Sequence, residues 1–222
     1  MTAFIKFCRK NKWTDLVPED LTISKGATPT NKTVLQPQEV QVLFSNDYTL
    51  WRGKPAPEPY VAAWRFQVLT GLRPGELFGL KWTDIRDDYV YLQRSINKFK
   101  ETTRGKNENA VRAFKLPFAA KQIICNQPKE SIYIFPVKSG THYKDCLARY
   151  CKSNNITIVT PYELRHTFVS MAKSLPEGMV KQIVGHSKDM DTFGIYGHFL
   201  EGDNEIVADE LQKVFDKIIV KN

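Results

Sequence analysis

The sequence predicts an α+β fold that is mainly α-helical, with a small antiparallel β-sheet or hairpin near its middle. Three observations predict it. A series of segments carries apolar residues at helical spacing along most of the chain. Between them lie three strand-like runs, residues 89–94 (YVYLQR), 95–100 (SINKFK) and 110–116 (AVRAFKL), with Gly105 and Asn107 marking a turn. A chain of 222 residues that is 42% hydrophobic and 12% aromatic can also bury a sizeable core, so disorder is not the default.

Taken in order, residues 1–16 alternate apolar groups (Phe4, Ile5, Phe7, Trp13, Leu16) with basic ones in a helix-like pattern. Residues 17–36 lack periodicity and carry Pro18, Gly26 and Pro29, as a linker does. Residues 37–45 and 59–70 read as helices with a Pro-rich loop between them. The second is apolar nearly all round and so central to the core. The run 71–80 (GLRPGELFGL) turns and restarts a short helix, with Pro74 suited to its first position. Residues 119–126 and 142–154 read as helices flanking a short strand candidate at 131–135. Thr160 and Pro161 open a helix through Ser174, and 176–184 forms another. The last helix, 203–220, has an apolar stripe of Val207, Leu211, Val214, Phe215 and Ile218, which packs on its own domain or on a neighbouring copy.

The formal net charge is +8, and residues 201–222 contribute −3, so a basic body at +11 carries an acidic tail. A polyanion is the expected partner. Seven basic residues crowd the strand region (Arg94, Lys98, Lys100, Arg104, Lys106, Arg112 and Lys115) against Glu101 and Glu108, which suits a ribbon tracking a phosphate backbone. Cys8, Cys125, Cys146 and Cys151 have neither zinc-ligand spacing nor the pattern of a disulfide framework. With no signal peptide and no run of eighteen apolar residues, the chain reads as cytoplasmic, without a membrane partner.

The polar residues of greatest interest lie in 160–199. Tyr162, Arg165 and His166 stand three and four apart on a helix and are expected to share a face. His186 follows Gly185 at a helix end, and Tyr196 precedes Gly197 and His198. Arg73 sits in a Gly-Leu-Arg-Pro-Gly turn earlier in the chain. Arginine binds phosphate bidentately and keeps its charge, while lysine, histidine and tyrosine can move protons, so this set points to phosphodiester chemistry.

In three ordered boxes the chain resembles the tyrosine recombinases, the phage integrase family, and among them integrases of phages and conjugative transposons of Gram-positive bacteria. TGLRPGELFGLKW at 70–82 resembles the first arginine box, implying Arg73 as a catalytic arginine and Glu76 as a supporting acid. YELRHTF at 162–168 resembles the second, implying Arg165, with Tyr162 where the family usually has histidine. VGHSKDMDTFGIYGH at 184–198 resembles the third, implying His186 as the active-site histidine, Tyr196 as nucleophile and His198 in support. The hairpin lysine falls on Lys106, with Lys100 the alternative, and Lys98, Lys100, Arg104 and Arg112 are expected to bind DNA.

The resemblance implies a domain division: 1–16 as the remnant of the last helix of a core-binding domain, 17–36 as linker, 37–200 as catalytic domain and 201–222 as tail helix. It implies site-specific cutting and rejoining of double-stranded attachment-site DNA through a 3′-phosphotyrosyl intermediate. Neither cofactor nor metal is required. Further implied are a homo-oligomer, a tetramer, on DNA, accessory DNA-bending proteins, and docking of the tail on a neighbouring subunit. Relaxation of DNA by a type IB topoisomerase and a DNA-binding module without catalysis are the alternatives. Integrase-like box spacing argues against the first, and Tyr162 is the hint for the second.

Overall fold

A computed structural model of the chain describes residues 2–15, 32–97, 99–103, 111–185 and 202–219. It divides into a short unit, Met1–Asn31, and a body, Lys32–Asn222. In the short unit, helix α1 (Thr2–Lys10) ends in a turn where Asn11 Nδ2 donates to the Phe7 carbonyl at 2.9 Å and Trp13 meets the Phe7 ring edge-on at 5.6 Å. The helix expected over 1–16 is therefore shorter.

The body is mainly helical with small antiparallel sheets, as its sequence predicts. Its centre is helix α3 (Val61–Thr70), whose Trp64, Phe66, Val68 and Leu69 are fully buried. Gln67 is equally buried and fully engaged: its Nε2 donates to the carbonyls of Leu72 and Pro161, both at 2.9 Å, and its Oε1 accepts from Tyr143 Oη at 3.3 Å. Helix α7 (Pro161–Met171) lies against α3. Its approach requires Gly71, which ends α3 at φ 63°, because a Cβ there would sit 2.4 Å from Phe168 Cδ1.

Helices α2 (Pro37–Ser45), α4 (Pro74–Phe78) and α7 start alike, with Pro first and Glu third. Each glutamate turns back to a backbone N–H that the helix cannot satisfy: Gln36 N to Glu39 Oε2 at 2.7 Å, Arg73 N to Glu76 Oε2 at 2.9 Å, Thr160 N to Glu163 Oε2 at 2.7 Å. Residues 32–36, read from sequence as the end of a linker, lie on the body. Leu35 is buried there and its N–H donates to Thr167 Oγ1 at 3.0 Å.

The stretch read as a Pro-rich loop is a hairpin, β1 (Tyr48–Trp51) with β2 (Lys54–Pro57), turned by Arg52 and Gly53 at φ 51° and 78°. Two prolines hid it, because they lower strand expectation although an edge strand tolerates them. Strands β3 (Ile85–Arg86), β4 (Tyr89–Leu92) and β7 (Arg112–Lys115) form a three-stranded sheet, while β5 (Ser95–Ile96) pairs with β6 (Thr102–Thr103) in a separate ribbon. The run expected as a strand over 95–100 thus turns at Asn97, whose Oδ1 accepts from the N–H groups of Phe99 and Glu101. The turn expected at Gly105 and Asn107 lies outside the described residues. Residues 131–135 contribute only a bridge between Tyr133 and Lys81.

Helices α5 (Phe118–Cys125), α6 (Gly140–Ser153) and α8 (Glu177–Val184) complete the shell with α9 (Asp203–Ile219). The apolar stripe of α9 is covered by its own chain. Val207, Leu211 and Phe215 are buried, Phe215 stacks on Phe168 at 6.3 Å, and Gln212 Oε1 accepts from Ala119 N at 2.9 Å. Among the described residues no helix is long and apolar enough to cross a membrane.

Phe215→Ala is expected to lower the unfolding free energy by about 3–5 kcal/mol. Phe118→Ala, at a side chain that is 60% exposed, should change it by no more than about 0.5 kcal/mol. Urea denaturation of the two variants checks the contrast.

Candidate active site

Gly71 ends α3, Leu72 anchors in the core, and Arg73 is held in extended backbone (φ −66°, ψ 147°) just ahead of α4. This places the Arg73 guanidinium beside Glu76, one turn on. Nη1 meets Glu76 Oε1 at 2.8 Å and Nη2 donates to the Gly185 carbonyl at 3.0 Å.

Glu76 is only 3% exposed and serves two arginines. Arg112 grips it with both ends of its fork, Nη1 to Oε1 at 3.0 Å and Nη2 to Oε2 at 2.9 Å. Burial pushes the Glu76 carboxyl up, but the Arg112 hydrogen bonds and charge, with those of Arg73, outweigh it and hold the group below the usual carboxylate range. Glu76 is therefore an anion in the interior, stabilised by its partners.

Arg165 is buried below this pair, 5% exposed, with Nη1 donating to the Gly71 carbonyl at 2.7 Å and Nη2 to the Val184 carbonyl at 2.5 Å. Among the described residues it pairs with no carboxylate. Burial first, and then the Arg73 charge, lower its pKa to about 9. Three arginines thus hold three consecutive carbonyls at the end of α8: Arg112 Nε that of Ile183 at 2.6 Å, Arg165 that of Val184, Arg73 that of Gly185. These are groups a helix leaves without intrahelical partners, and they carry the negative end of its dipole.

Above the cluster opens a cavity of about 890 Å³. Arg73, Glu76, Tyr162 and Gly185 form one wall; Ile96, Asn97 and Lys100 of the ribbon form a second; Tyr133 and residues 136–140 form a third, with Lys138. Lys100 and Lys138 make no ion pair among the described residues, and the one carboxylate in the lining is already engaged. The cavity is cationic.

Several expectations need revision. Tyr162 does line the cavity and is exposed, but His166 does not share its setting. It stands near Lys32 and Glu163, its pKa lowered first by burial and then by Lys32. Arg112, expected to reach DNA, turns inward, because alternation along β7 puts it on the face of Phe114 and its register partner is buried Leu92. Arg94 is drawn to Asp84 and to the Gly79 carbonyl, and Lys115 to Glu205 at 3.4 Å. So part of the basic run neutralises the protein's own acids. The period-two pattern Arg112, Phe114, Leu116 was the signal for an inward arginine; Lys138, alone in a loop, offers no sequence signal. His186, Tyr196, His198, Lys98, Arg104 and Lys106 lie outside the described residues.

The model of the phage integrase family matches residues 33–202. The chain is 26% identical over 205 residues to the ICEBs1 integrase of Bacillus subtilis (strain 168), covering 80% of this chain and 50% of that protein. It is also 26% identical over 184 residues to a XerC-like tyrosine recombinase of Caldanaerobacter subterraneus subsp. tengcongensis, covering 66% of this chain and 47% of that protein. The chain therefore spans about half the length of these curated relatives. Among solved structures, the Tn1549 transposon integrase in complex with a circular intermediate DNA superposes with a TM-score of 0.66 at 17% identity, covering 95% of this chain and 76% of that one. A lambda integrase dimer bound to a core site gives 0.53 at 19% identity, covering 78% of this chain and 49% of that one. These likenesses show a shared fold. With the family match running through both arginine boxes and well over half of the sequence, the chain belongs to the phage integrase family.

Proposed function

We propose that this chain is the catalytic part of a tyrosine-type site-specific DNA recombinase, which cuts and rejoins double-stranded DNA through a 3′-phosphotyrosyl intermediate on Tyr196. The observation that carries the reading is the excess of cation around Glu76: its carboxylate pairs with Arg73 and Arg112, Arg165 is buried nearby without a carboxylate among the described residues, and Lys100 and Lys138 line the open cavity. A phosphodiester fits that imbalance. It would sit beside Arg73 and above Arg165, where donors of both guanidiniums not used by the protein can meet its non-bridging oxygens. The relatives named above as integrases and recombinases point the same way.

In this scheme Tyr196 attacks phosphorus. A bond forms from its oxygen to phosphorus, the bond to the 5′ oxygen breaks, and the leaving oxygen takes a proton from Lys106 and departs as a 5′-hydroxyl. Arg73, Arg165 and His186 stabilise the charge that builds on the phosphate oxygens. A tyrosine of pKa about 10 is protonated at neutral pH; the arginine charges lower the cost of removing its proton, which passes to His186 or water. Tyr162 contributes a hydroxyl donor where histidine is usual. The protein–DNA ester retains the energy of the phosphodiester, so a 5′-hydroxyl from another strand can reverse the attack and complete the exchange. The body from Lys32 onward acts as the catalytic domain, and strand exchange between two duplexes requires further copies of the chain, a tetramer on DNA.

Tyr196→Phe is expected to abolish covalent protein–DNA adducts on a nicked suicide substrate while leaving binding nearly unchanged. Adducts that persist in that variant rule out Tyr196 as the nucleophile. Binding should weaken linearly in a plot of log affinity against log salt, and Lys138→Ala should reduce that slope by about 0.9, the share of one phosphate contact. An unaltered slope removes Lys138 from the DNA path.

A further inference from the structure

Of the three arginines in the cluster only Arg73 lines the cavity, and Arg112 is the one whose fork is spent on Glu76. It stands on β7 opposite Leu92, its side chain 9% exposed, and it is not among the groups lining the cavity. Its guanidinium meets Glu76 with both Nη atoms and the Ile183 carbonyl with Nε at 2.6 Å. The two oxygens it holds are the ones that position Arg73, Oε1 taking Arg73 Nη1 and Oε2 taking the Arg73 backbone N–H. The carbonyl it holds lies two residues before Gly185, to which Arg73 also donates.

From this geometry we infer that Arg112 is a positioning residue for the strand-cleaving reaction, and that it acts through Glu76 and Arg73 without touching DNA. The inference rests on the recombinase reading above. With Arg112 in place the Glu76 carboxylate is clamped in one plane and Arg73 can spare the rest of its fork for a ligand. Without it, Glu76 is free to rotate and to take both ends of the Arg73 fork, which draws that fork away from the cavity. The last turn of α8 also loses a donor three residues before His186. Lysine keeps the charge at this position but not the geometry, since a single ammonium cannot grip both carboxylate oxygens and a carbonyl 71 positions away in sequence.

The test is single-turnover cleavage of a nicked suicide substrate at saturating protein, with wild type, Arg112→Lys, Arg73→Ala and the double variant, beside salt titrations of binding. Arg112→Lys is expected to slow cleavage by up to about 100-fold, the penalty of a misplaced catalytic group. It should leave the salt slope unchanged and add no further loss in the Arg73→Ala background, as groups acting in one chain of contacts do. Additive losses, an unchanged cleavage rate, or a slope reduced by about 0.9 would each overturn the inference. Should the lysine variant not fold, the wild-type protein labelled with 15N-arginine decides. The Arg112 Nε–H signal is expected to stay slow to exchange and unshifted on DNA addition, while that of Arg73 moves; an equal shift at Arg112 refutes the proposal. Absence of any adduct with wild-type protein would instead be a failure of the recombinase reading itself, and the inference would fall with it.

Discussion

Around one buried carboxylate, Glu76, the site is built. Leaving an ionised carboxylate inside a protein costs several kcal/mol after relaxation, and the cost is offset here by two guanidiniums and a backbone N–H that converge on its two oxygens. Those contacts join α4, the middle strand region and, through Arg112 and Arg73, the end of α8. Remove the carboxylate and three cations are left close together in a medium of low dielectric. Keep it and the cluster still carries more positive than negative charge, and burial, with the Arg73 charge second, holds Arg165 down to about 9. A site in that state has an unmet demand for an anion.

The helical frame serves this cluster at its ends. Gly71 allows α7 to press against α3, so Arg165 can reach back to the Gly71 carbonyl while Leu72 and Arg73 continue into α4. The three arginines then close the open C-terminal end of α8 at Ile183, Val184 and Gly185. Arg73 and Arg165, the two proposed to hold a phosphate, thus also fix the carbonyls of Gly185 and Val184. The last helix, α9, buries its apolar stripe against its own chain, with Glu205 reaching Tyr89 at 2.7 Å. Val207, Leu211 and Phe215 of the stripe are buried against the body of the same chain.

The boxes at 70–82 and 162–168 were legible because they combine helix-start chemistry with arginines, and the helices they predict are present. Arg112 was misread for a physical reason. Counting charge over residues 94–115 treats each basic side chain as facing solvent, whereas alternation along β7 assigns Arg112 to the side of Phe114 and Leu116. The hairpin at 48–57 was missed since Pro55 and Pro57 weigh against a strand until one sees that β2 is an edge. Residues 131–135 erred the other way: apolar content suggested a strand, but only Tyr133 finds a bridging partner.

By itself the sequence determined what local rules can carry: which residues open helices, which segments have helical or alternating period, and which arginines sit at helix starts. Tertiary structure decided who pairs with whom. Glu76 and Arg112 are 36 positions apart, Arg112 and Ile183 71, Arg165 and Gly71 94. No local pattern specifies such partners, because the strength of a charge pair depends on burial and separation, and both are products of packing.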